Sequence, residues 1–496
     1  MTAKEKILNR CYEILPGLMV WVTLIGAVVI SIFKPLWAIT FIIIFDVFWL
    51  VRAYYLVTHL LTSWARFKRD GKIHWLSKLN EIKDKDWQSY YHLIFLPTFR
   101  ESLEIINETF KNLIATDYPH KKFIIVLAGE ERDKKNFLKI AKKLKDRYKH
   151  YFFKIIITVH PVNLPDEIPG KGSNLNYAGH QTLKIINKLR LPHEKIITST
   201  FDIDTVVDQQ YFSYLTYKYL THPKPERSSF QPLAFYHNNI WESDPITRVV
   251  ANSTTFWLMT DLSRRERLFT FSSHSMSFKA LVDVDFWQKD IVSEDSRIFL
   301  QCLFRYNGDY RVTPLFISVS MNTVHMGNFW KSLSNQYKQM RRWAWGIEHI
   351  PYFLSNFKNY PKMPFNKKRY HFINQLEGSF SWATAPLLIL ILGRLPLFLA
   401  DKTVQSTVLA QNTPFILETL MNVALIGLII TAVLSTCILP QKPKKITWFH
   451  YPVMLLQWIL FPLTTIIFGS IPAIDSQTRL MIGGKAKLGF WVTEKK

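Results

Sequence analysis

"IITSTFDIDTVVD", running from Ile196 to Asp208, is the stretch that decides how this chain is read. A β-rich run ends in two carboxylates, Asp202 and Asp204, interleaved with Phe201 and Ile203. Side chains alternate across a strand, so both carboxylates take one face and the two apolar residues the other. In open α/β sheets ligands bind beyond the carboxyl ends of the strands, which is where this pair falls. Two carboxylates converging there suit a hard divalent cation, Mg²⁺ or Mn²⁺, which takes few protein ligands and bridges to phosphate oxygens. A bare D-x-D is common in solvated turns, so its place at a strand end is what gives this one weight.

Upstream, "YHLIFL" (Tyr91 to Leu96), "FIIVLA" from Phe123 and "FFKIIITV" from Phe152 repeat the strand signal. Between the first two, Leu103, Ile106, Phe110 and Leu113 follow helical spacing. The alternation from Gln88 to about Gly346 predicts a mostly parallel sheet covered by helices. "GKGSNLNYAG" (Gly170 to Gly179) leads into a helix with Lys171 at its start, a plausible anion cradle. The G-x-x-x-x-G-K-[ST] spacing is absent, so hydrolysis of nucleoside triphosphates has no support. A glycine turn with a surface lysine is the plainer reading of this motif alone.

Downstream, "IVSEDSRIFLQCLFRYNG" places Glu294 and Asp295 at the start of a helix whose core positions are Ile298, Leu300, Leu303 and Phe304. Acids in a first helical turn commonly just answer the helix dipole. A general base would have to face the ligand end of the sheet. In "NQYKQMRRWAWG" (Asn335 to Gly346), Gln339, Arg342 and Trp343 fall on one helix face. An arginine fork suits a diphosphate, and a tryptophan plane suits a sugar ring or a base. Lys338, Arg341 and Trp345 fall elsewhere and are expected at a membrane interface.

The composition points to a membrane. Of 496 residues 48% are hydrophobic and 15% aromatic. A formal charge of +24, from 62 Lys plus Arg against 38 Asp plus Glu, suits an anionic partner. No RNA-binding motif accompanies the basic residues, so nucleic acid is not the expected partner and membrane lipids are. Cys11, Cys302 and Cys437 match neither a disulfide framework nor a zinc spacing. Runs of about 20 mostly uncharged residues can cross the hydrocarbon core. Ile14 to Phe33, Leu36 to Val57, Phe372 to Leu399 and Phe415 to Leu439 qualify, the second carrying Asp46 and Arg52. Basic residues flank both ends of each pair, giving two hairpins with a cytoplasmic block between them and a multi-pass protein of the cell membrane. Phe449 to Ile474 is flanked by basic residues on both sides and contains Pro462, so it is expected to be re-entrant or interfacial rather than a single crossing. The resulting divisions are a hairpin over 1–60, a basic juxtamembrane linker over 61–87, a catalytic block over 88–346, an interfacial helix region over 347–371, a second hairpin over 372–439 and a terminal segment over 440–496.

These motifs, in this order between paired hairpins, resemble the processive family-two glycosyltransferases, the group of cellulose, chitin and hyaluronan synthases. The resemblance implies an α/β GT-A (Rossmann-like) cytoplasmic domain inserted between transmembrane α-helical hairpins. It also implies an inverting transfer from a nucleotide sugar, with a UDP-sugar expected, to a growing β-linked polysaccharide. By the same resemblance Asp202 and Asp204 hold the metal, Asp295 beside Glu294 is the general base, and Gln339, Arg342 and Trp343 form the Q-x-x-R-W that meets acceptor and diphosphate. "PTFRE" assigns Pro97, Thr98 and Glu101 to the donor, and "GKGSNLN" adds Lys171 and Asn176. "FWVTEK" matches the gating loop of bacterial cellulose synthases at Phe490, Val492, Thr493 and Lys495.

Two departures stand out. Where the family commonly ends its second strand in an aspartate, "VLAGEERD" offers Glu130 and Glu131. The membrane region is also short for a polymer channel, which keeps open the transfer of one or a few sugars to a lipid acceptor. A catalytically inactive membrane scaffold is the reading from another class, and Asp202, Asp204, Asp295 and Arg342 together argue against it. Neither the sugar nor the oligomeric state follows from the residues. "FSSHSMSF" around His274 and "QPLAFYHNN" around Gln231 are expected to wall the pocket, with His274 as easily a packed core histidine.

Overall fold

The computed structural model describes residues 3–444 and 446–489. Phe490, Val492, Thr493 and Lys495 of the gating-like tail lie outside the described residues. The block between the two sets of apolar helices is built on an eight-stranded sheet: β1 (Tyr91–Pro97), β2 (Phe123–Glu130), β3 (Lys154–His160), β4 (Ile196–Thr200), β5 (Val206–Val207), β6 (Ser228–Tyr236), β7 (Ser275–Ser277) and β8 (Arg311–Met321). The order across it is β3-β2-β1-β4-β7-β6-β8-β5. β1 to β4 are parallel, β7 runs antiparallel to both β4 and β6, and β6 and β8 are parallel. The sheet is therefore mixed but mostly parallel, as the sequence predicts: β1 to β4, β6 and β8 run one way, and β7 and β5 run the other.

Burial on both faces explains the parallel half from β1 to β4. Leu93 and Phe95 of β1 join one core, with Ile124 and Val126 of β2, while Ile94, Leu96, Ile125 and Leu127 join the core on the other face. Strands covered on both sides read as unbroken apolar runs, and each fully buried side chain of this size stabilises the fold by about 1.5–3 kcal/mol. The helix Leu103–Ile114 starts at Ser102, whose hydroxyl accepts from the Ile105 amide, and buries Ile106, Phe110 and Leu113. Two glycines permit close approach of backbone to neighbours: a Cβ on Gly172 would stand 2.9 Å from the Gln288 carbonyl oxygen, and one on Gly179 would meet the Phe286 ring at 2.3 Å.

Residues 61–87, read as a linker, pack into the sheet domain. The helix Pro35–Asp70 runs continuously out of its apolar half, and Trp75, Leu79 and Trp87 are buried. Trp75 stacks on Tyr214 with ring centroids 4.1 Å apart. Residues 347–371 are likewise internal in part: in the helix His349–Asn359, Phe353 lies 5.0 Å from Phe304 between centroids.

Four helical runs are long and apolar enough to cross a membrane: Ala3–Phe33, Pro35–Asp70, Val408–Cys437 and His450–Ile482. Their outward faces carry Ile25, Val51, Phe415 and Ile459, the last 82% exposed. Apolar surface of that extent marks a contact with lipid or with another protein. One expectation needs correction. His450–Ile482 is one helical run of 33 residues rather than a helix broken at Pro462. Pro462 falls at the start of a new α-helical turn, after a 3₁₀ turn over Gln457–Leu460, where its missing N–H interrupts little. The break comes instead in the stretch expected as the third span, where Phe365–Leu390 and Leu392–Leu399 meet at 45°.

Candidate active site

The carboxyl ends of β1, β2 and β4 meet the start of the helix Lys171–Lys188. The carbonyl of Ala128 in β2 accepts from the Thr98 amide at 2.9 Å and from Asn174 Nδ2 at 2.7 Å, tying the end of β1 and the helix to one point. Lys171 then projects into a cluster of acids. Its Nζ lies 2.7 Å from Asp295 Oδ2, 3.0 Å from Asp202 Oδ1 and 3.3 Å from Glu294 Oε1. Residues separated by up to 124 positions in the chain thus converge on one ammonium group. Burial alone would pull the Lys171 ammonium down, but Asp202, Asp295 and Glu294 outweigh it and hold the group well above its usual value.

Each acid has its own support. Asp202 Oδ2 accepts from Ser272 Oγ at 2.9 Å, and Asp204 Oδ2 accepts from the Asn322 amide just past β8 at 3.2 Å. Phe201 and Ile203 are buried behind them, although β4 ends at Thr200 and the pair is carried into a turn that the Thr205 amide closes on the Asp202 carbonyl at 2.9 Å. Glu294 and Asp295 open the helix Glu294–Arg305, and Thr270 Oγ1 donates to the Asp295 carbonyl at 2.6 Å. Burial, then repulsion from Asp295, pushes the Glu294 carboxyl up, against the pull of Lys171 and Arg342. The helix Phe329–Ala344 brings Arg342 within electrostatic reach of Glu294 and of Tyr236 at the end of β6. Trp343 lies 5.6 Å from the Tyr236 ring between centroids, and Gln339 Oε1 accepts from Gln336 at 3.3 Å. The Tyr236 hydroxyl is pushed up by burial and then by Asp202, with Asp295 and Asp204 adding to it.

Some candidates stand apart from this cluster. Asn176 gives its amide to the carbonyls of Trp287, at 2.8 Å, and Asp285, at 3.3 Å, so it holds the loop before Glu294 rather than facing the acids. Pro97 ends β1, and Glu101 accepts from the Phe99 amide. Glu130 ends β2, buried and bonded by Arg132 Nε at 2.8 Å, with burial raising its carboxyl. Arg341 and Trp345 have protein partners: Arg341 pairs with Asp475 at 3.0 Å, and Trp345 is buried with its Nε1 donating to Glu348 at 2.9 Å. His274 is a core histidine, its Nδ1 2.9 Å from the Phe271 carbonyl oxygen and its imidazole pushed down by burial.

Ser272, Tyr236 and Asn322 contribute to the site without having been singled out in the sequence. The first two lie in stretches expected as pocket wall, but nothing in their spacing marks the individual residue. Gln231 explains how Ser272 is held: its Oε1 accepts from the Phe271 amide at 2.8 Å and its Nε2 donates to the Ser272 carbonyl at 3.3 Å.

The donor set fits a divalent ion. Asp202, Asp204, Glu294 and Asp295 face two cations, Lys171 and Arg342, which leaves negative charge in excess. Among the described residues no group of three His, Cys, Asp or Glu side chains could hold a metal by itself. A hard cation here would rest on the aspartate pair and complete its shell with phosphate and water oxygens, the usual habit of Mg²⁺.

The sequence pattern of a known family, described as glycosyl transferase family group 2, matches residues 197–472, more than half of the chain. The chain belongs to that family. It is a glycosyltransferase, and its mixed sheet is the GT-A-like fold expected of one. The match takes in the acidic cluster, the Q-x-x-R-W helix and most of the C-terminal apolar region. No curated protein matches. Among solved structures, the mannosyltransferase PcManGT from Pyrobaculum calidifontis in complex with GDP-Man and Mn²⁺ is similar at a TM-score of 0.44 and 16% identity, covering 86% of this chain and 99% of that one. S. aureus TarS 1-349 in complex with UDP-GlcNAc is similar at a TM-score of 0.35 and 14% identity, covering 69% and 90%.

Proposed function

We propose that this family member is a membrane-integrated inverting enzyme that moves a sugar from a nucleotide sugar onto a growing β-linked polysaccharide on the cytoplasmic side of the cell membrane. The observation that carries the reading is the convergence of Asp202, Glu294 and Asp295 on Lys171. A diphosphate entering beside them competes for the same ammonium, and so draws Lys171 away from Asp295. Asp295 then accepts the proton of the attacking acceptor hydroxyl. The hydroxyl oxygen bonds to the anomeric carbon from the face opposite the leaving group, and the bond from that carbon to the diphosphate oxygen breaks. Lys171 and Arg342 answer the charge left on the nucleoside diphosphate, as preorganised cations do at small reorganisation cost. A divalent ion on Asp202 and Asp204, when bound, would supply Lewis-acid neutralisation of the same oxygens.

Pro97, Thr98, Glu101 and Glu130 line the donor end in this reading, and Gln339 and Trp343 the acceptor end, where the Trp343 ring offers a plane to a sugar. The exposed apolar faces of the four long helices support integration into a bilayer. The test is incubation of the purified full chain with Mn²⁺ and radiolabelled UDP- and GDP-sugars, with the product sized. Polymer insoluble in organic solvent supports the reading. A single added sugar that partitions into organic solvent would replace it with transfer to a lipid acceptor, and no transfer from any donor would overturn it.

A further inference from the structure

A cavity of about 370 Å³ lies where the helix Pro35–Asp70 ends against the sheet domain. Its lining includes Arg66, Arg69, Lys218 and Arg265, with Asp70 as its one carboxylate. That carboxylate is already engaged, accepting from the Tyr214 hydroxyl at 2.6 Å and pairing with Arg69 at 2.8 Å. Arg66, Lys218 and Arg265 have no carboxylate within ion-pair distance among the described residues. The guanidinium of Arg66 instead lies over the Phe316 ring at 5.4 Å, and the Lys218 ammonium over the Tyr214 ring at 5.3 Å. Burial and then the like charges of Arg265, Arg69 and Arg66 hold the Lys218 ammonium below its usual value, with only Asp70 pulling the other way. Cations gathered around a cavity without matching acids repel one another until an anion joins them.

This cavity is not the active site. Thr313 and Pro314 of β8 line it, whereas the far end of β8 leads to Asn322 and Asp204. The eight residues from Thr313 to Met321 put about 26 Å between the two places. The cavity lies near the other end of the strands. Its position along the chain is also specific: Arg66 follows the last residue of the apolar run, Val57, by nine helical residues, or about 13 Å of rise.

We infer that this cavity binds a phosphate-bearing group, held by Arg66, Lys218 and Arg265 beside the point where the helix leaves the membrane. The shared chemistry is a phosphate dianion or diphosphate among guanidinium and ammonium donors. An acidic lipid headgroup and a soluble phosphorylated compound are its two sources, and the former rests on the membrane reading above.

Pyrophosphate is the probe. Calorimetric titration of the full chain in an uncharged detergent should show a site that the double variant Arg66→Gln/Arg265→Gln loses, or binds about tenfold or more weakly. Sugar transfer by the double variant should stay at the wild-type level, which also shows that it folds. If the variant loses activity, Lys218→Gln is titrated in its place. Pyrophosphate binding of unchanged stoichiometry and affinity in an active variant would overturn the inference. Titration in nanodiscs separates the sources. If phosphatidic acid added to phosphatidylcholine abolishes this pyrophosphate site, the group is a lipid headgroup; if both nanodiscs bind alike, it is soluble.

Discussion

Replacing Lys171 with methionine keeps most of the side-chain volume and removes one charge from the centre of the acidic cluster. Three contacts vanish together, to Asp295 at 2.7 Å, Asp202 at 3.0 Å and Glu294 at 3.3 Å. Removing one partner of a buried ion pair leaves charge uncompensated and typically costs about 3–5 kcal/mol. Asp202 and Asp295 retain some access to water, which places the expected loss near about 3 kcal/mol. The loss should widen as pH rises through and above the carboxylate range, because Glu294, already pushed up by burial, must then ionise with one of its two neighbouring cations gone. Loss of one preorganised charge at a leaving group lowers turnover by about 10² to 10³. Thermal melting of wild type and Lys171→Met between acid and mildly alkaline pH reads the first effect, and initial-rate transfer reads the second. Lys171→Arg should not restore activity, since the planar guanidinium cannot take up the position of a compact ammonium against three acids. A Lys171→Met protein that transfers sugar within about threefold of wild type, a change below about 1 kcal/mol, would refute the assignment.

Asp202→Asn and Asp204→Asn should each weaken Mn²⁺ binding in the presence of a nucleoside diphosphate, measured by electron paramagnetic resonance; undiminished binding in both would remove the metal from this pair. Trp343→Ala removes the ring that packs on Tyr236 and should raise the KM for acceptor more than it lowers kcat, so a pure kcat effect would contradict a stacking role. Asp475→Ala leaves Arg341, Tyr337 and Arg479 without their shared acceptor and should cost about 1–3 kcal/mol of stability, read by thermal melting, with a matching fall in transfer. Burial pushes the His92 imidazole from 6.5 down to about 3. The unfolded chain therefore takes up a proton below 6.5 that the fold refuses, so this contribution is complete above that pH and is lost as pH falls towards 3, at up to about 1.4 kcal/mol per pH unit. His92→Gln should flatten the acid side of a melting-temperature profile, and an unchanged slope would exclude His92 as a source of acid lability.

The legible half of the fold is the half whose strands are buried on both faces. β1 to β4 announce themselves as apolar runs. By contrast, β7 is only Ser275–Ser277, and β6 carries Pro232 at a register shift opposite β8, so neither shows the alternation or the continuous run that identifies a strand. The acidic pair was legible because it directly follows the β4 apolar run, although the strand stops at Thr200 and a turn, not the two-residue period, sets its geometry. Lys171 as the hub was not, since contacts across 124 residues leave no trace in local spacing. Asn176 and Asn174 show the limit of motif reading: two residues apart in one short segment, they serve the loop at Asp285 to Trp287 and the carbonyl of Ala128 respectively. The partner of Arg341 was hidden for a related reason. A basic residue beside an apolar region fits lipid headgroups, and its partner Asp475 falls one residue beyond the uncharged run.

The tie between Arg341 and Asp475 has a consequence for how the enzyme is made. Asp475 belongs to the helix Ile471–Ile482, which also receives Trp21 Nε1 on Thr478 at 2.9 Å and Arg10 Nη1 on the Leu480 carbonyl at 2.9 Å. The helix carrying Gln339, Arg342 and Trp343 is thus fastened from behind to a segment translated more than 100 residues later, and that segment to the first helix of the chain. A ribosome that has finished the sheet domain has completed the acidic cluster but not the seat of the arginine and tryptophan opposite it. Competence for transfer should therefore switch on late in synthesis, after Ile482 has emerged, and a nascent chain arrested before Ile471 should bind metal without transferring sugar.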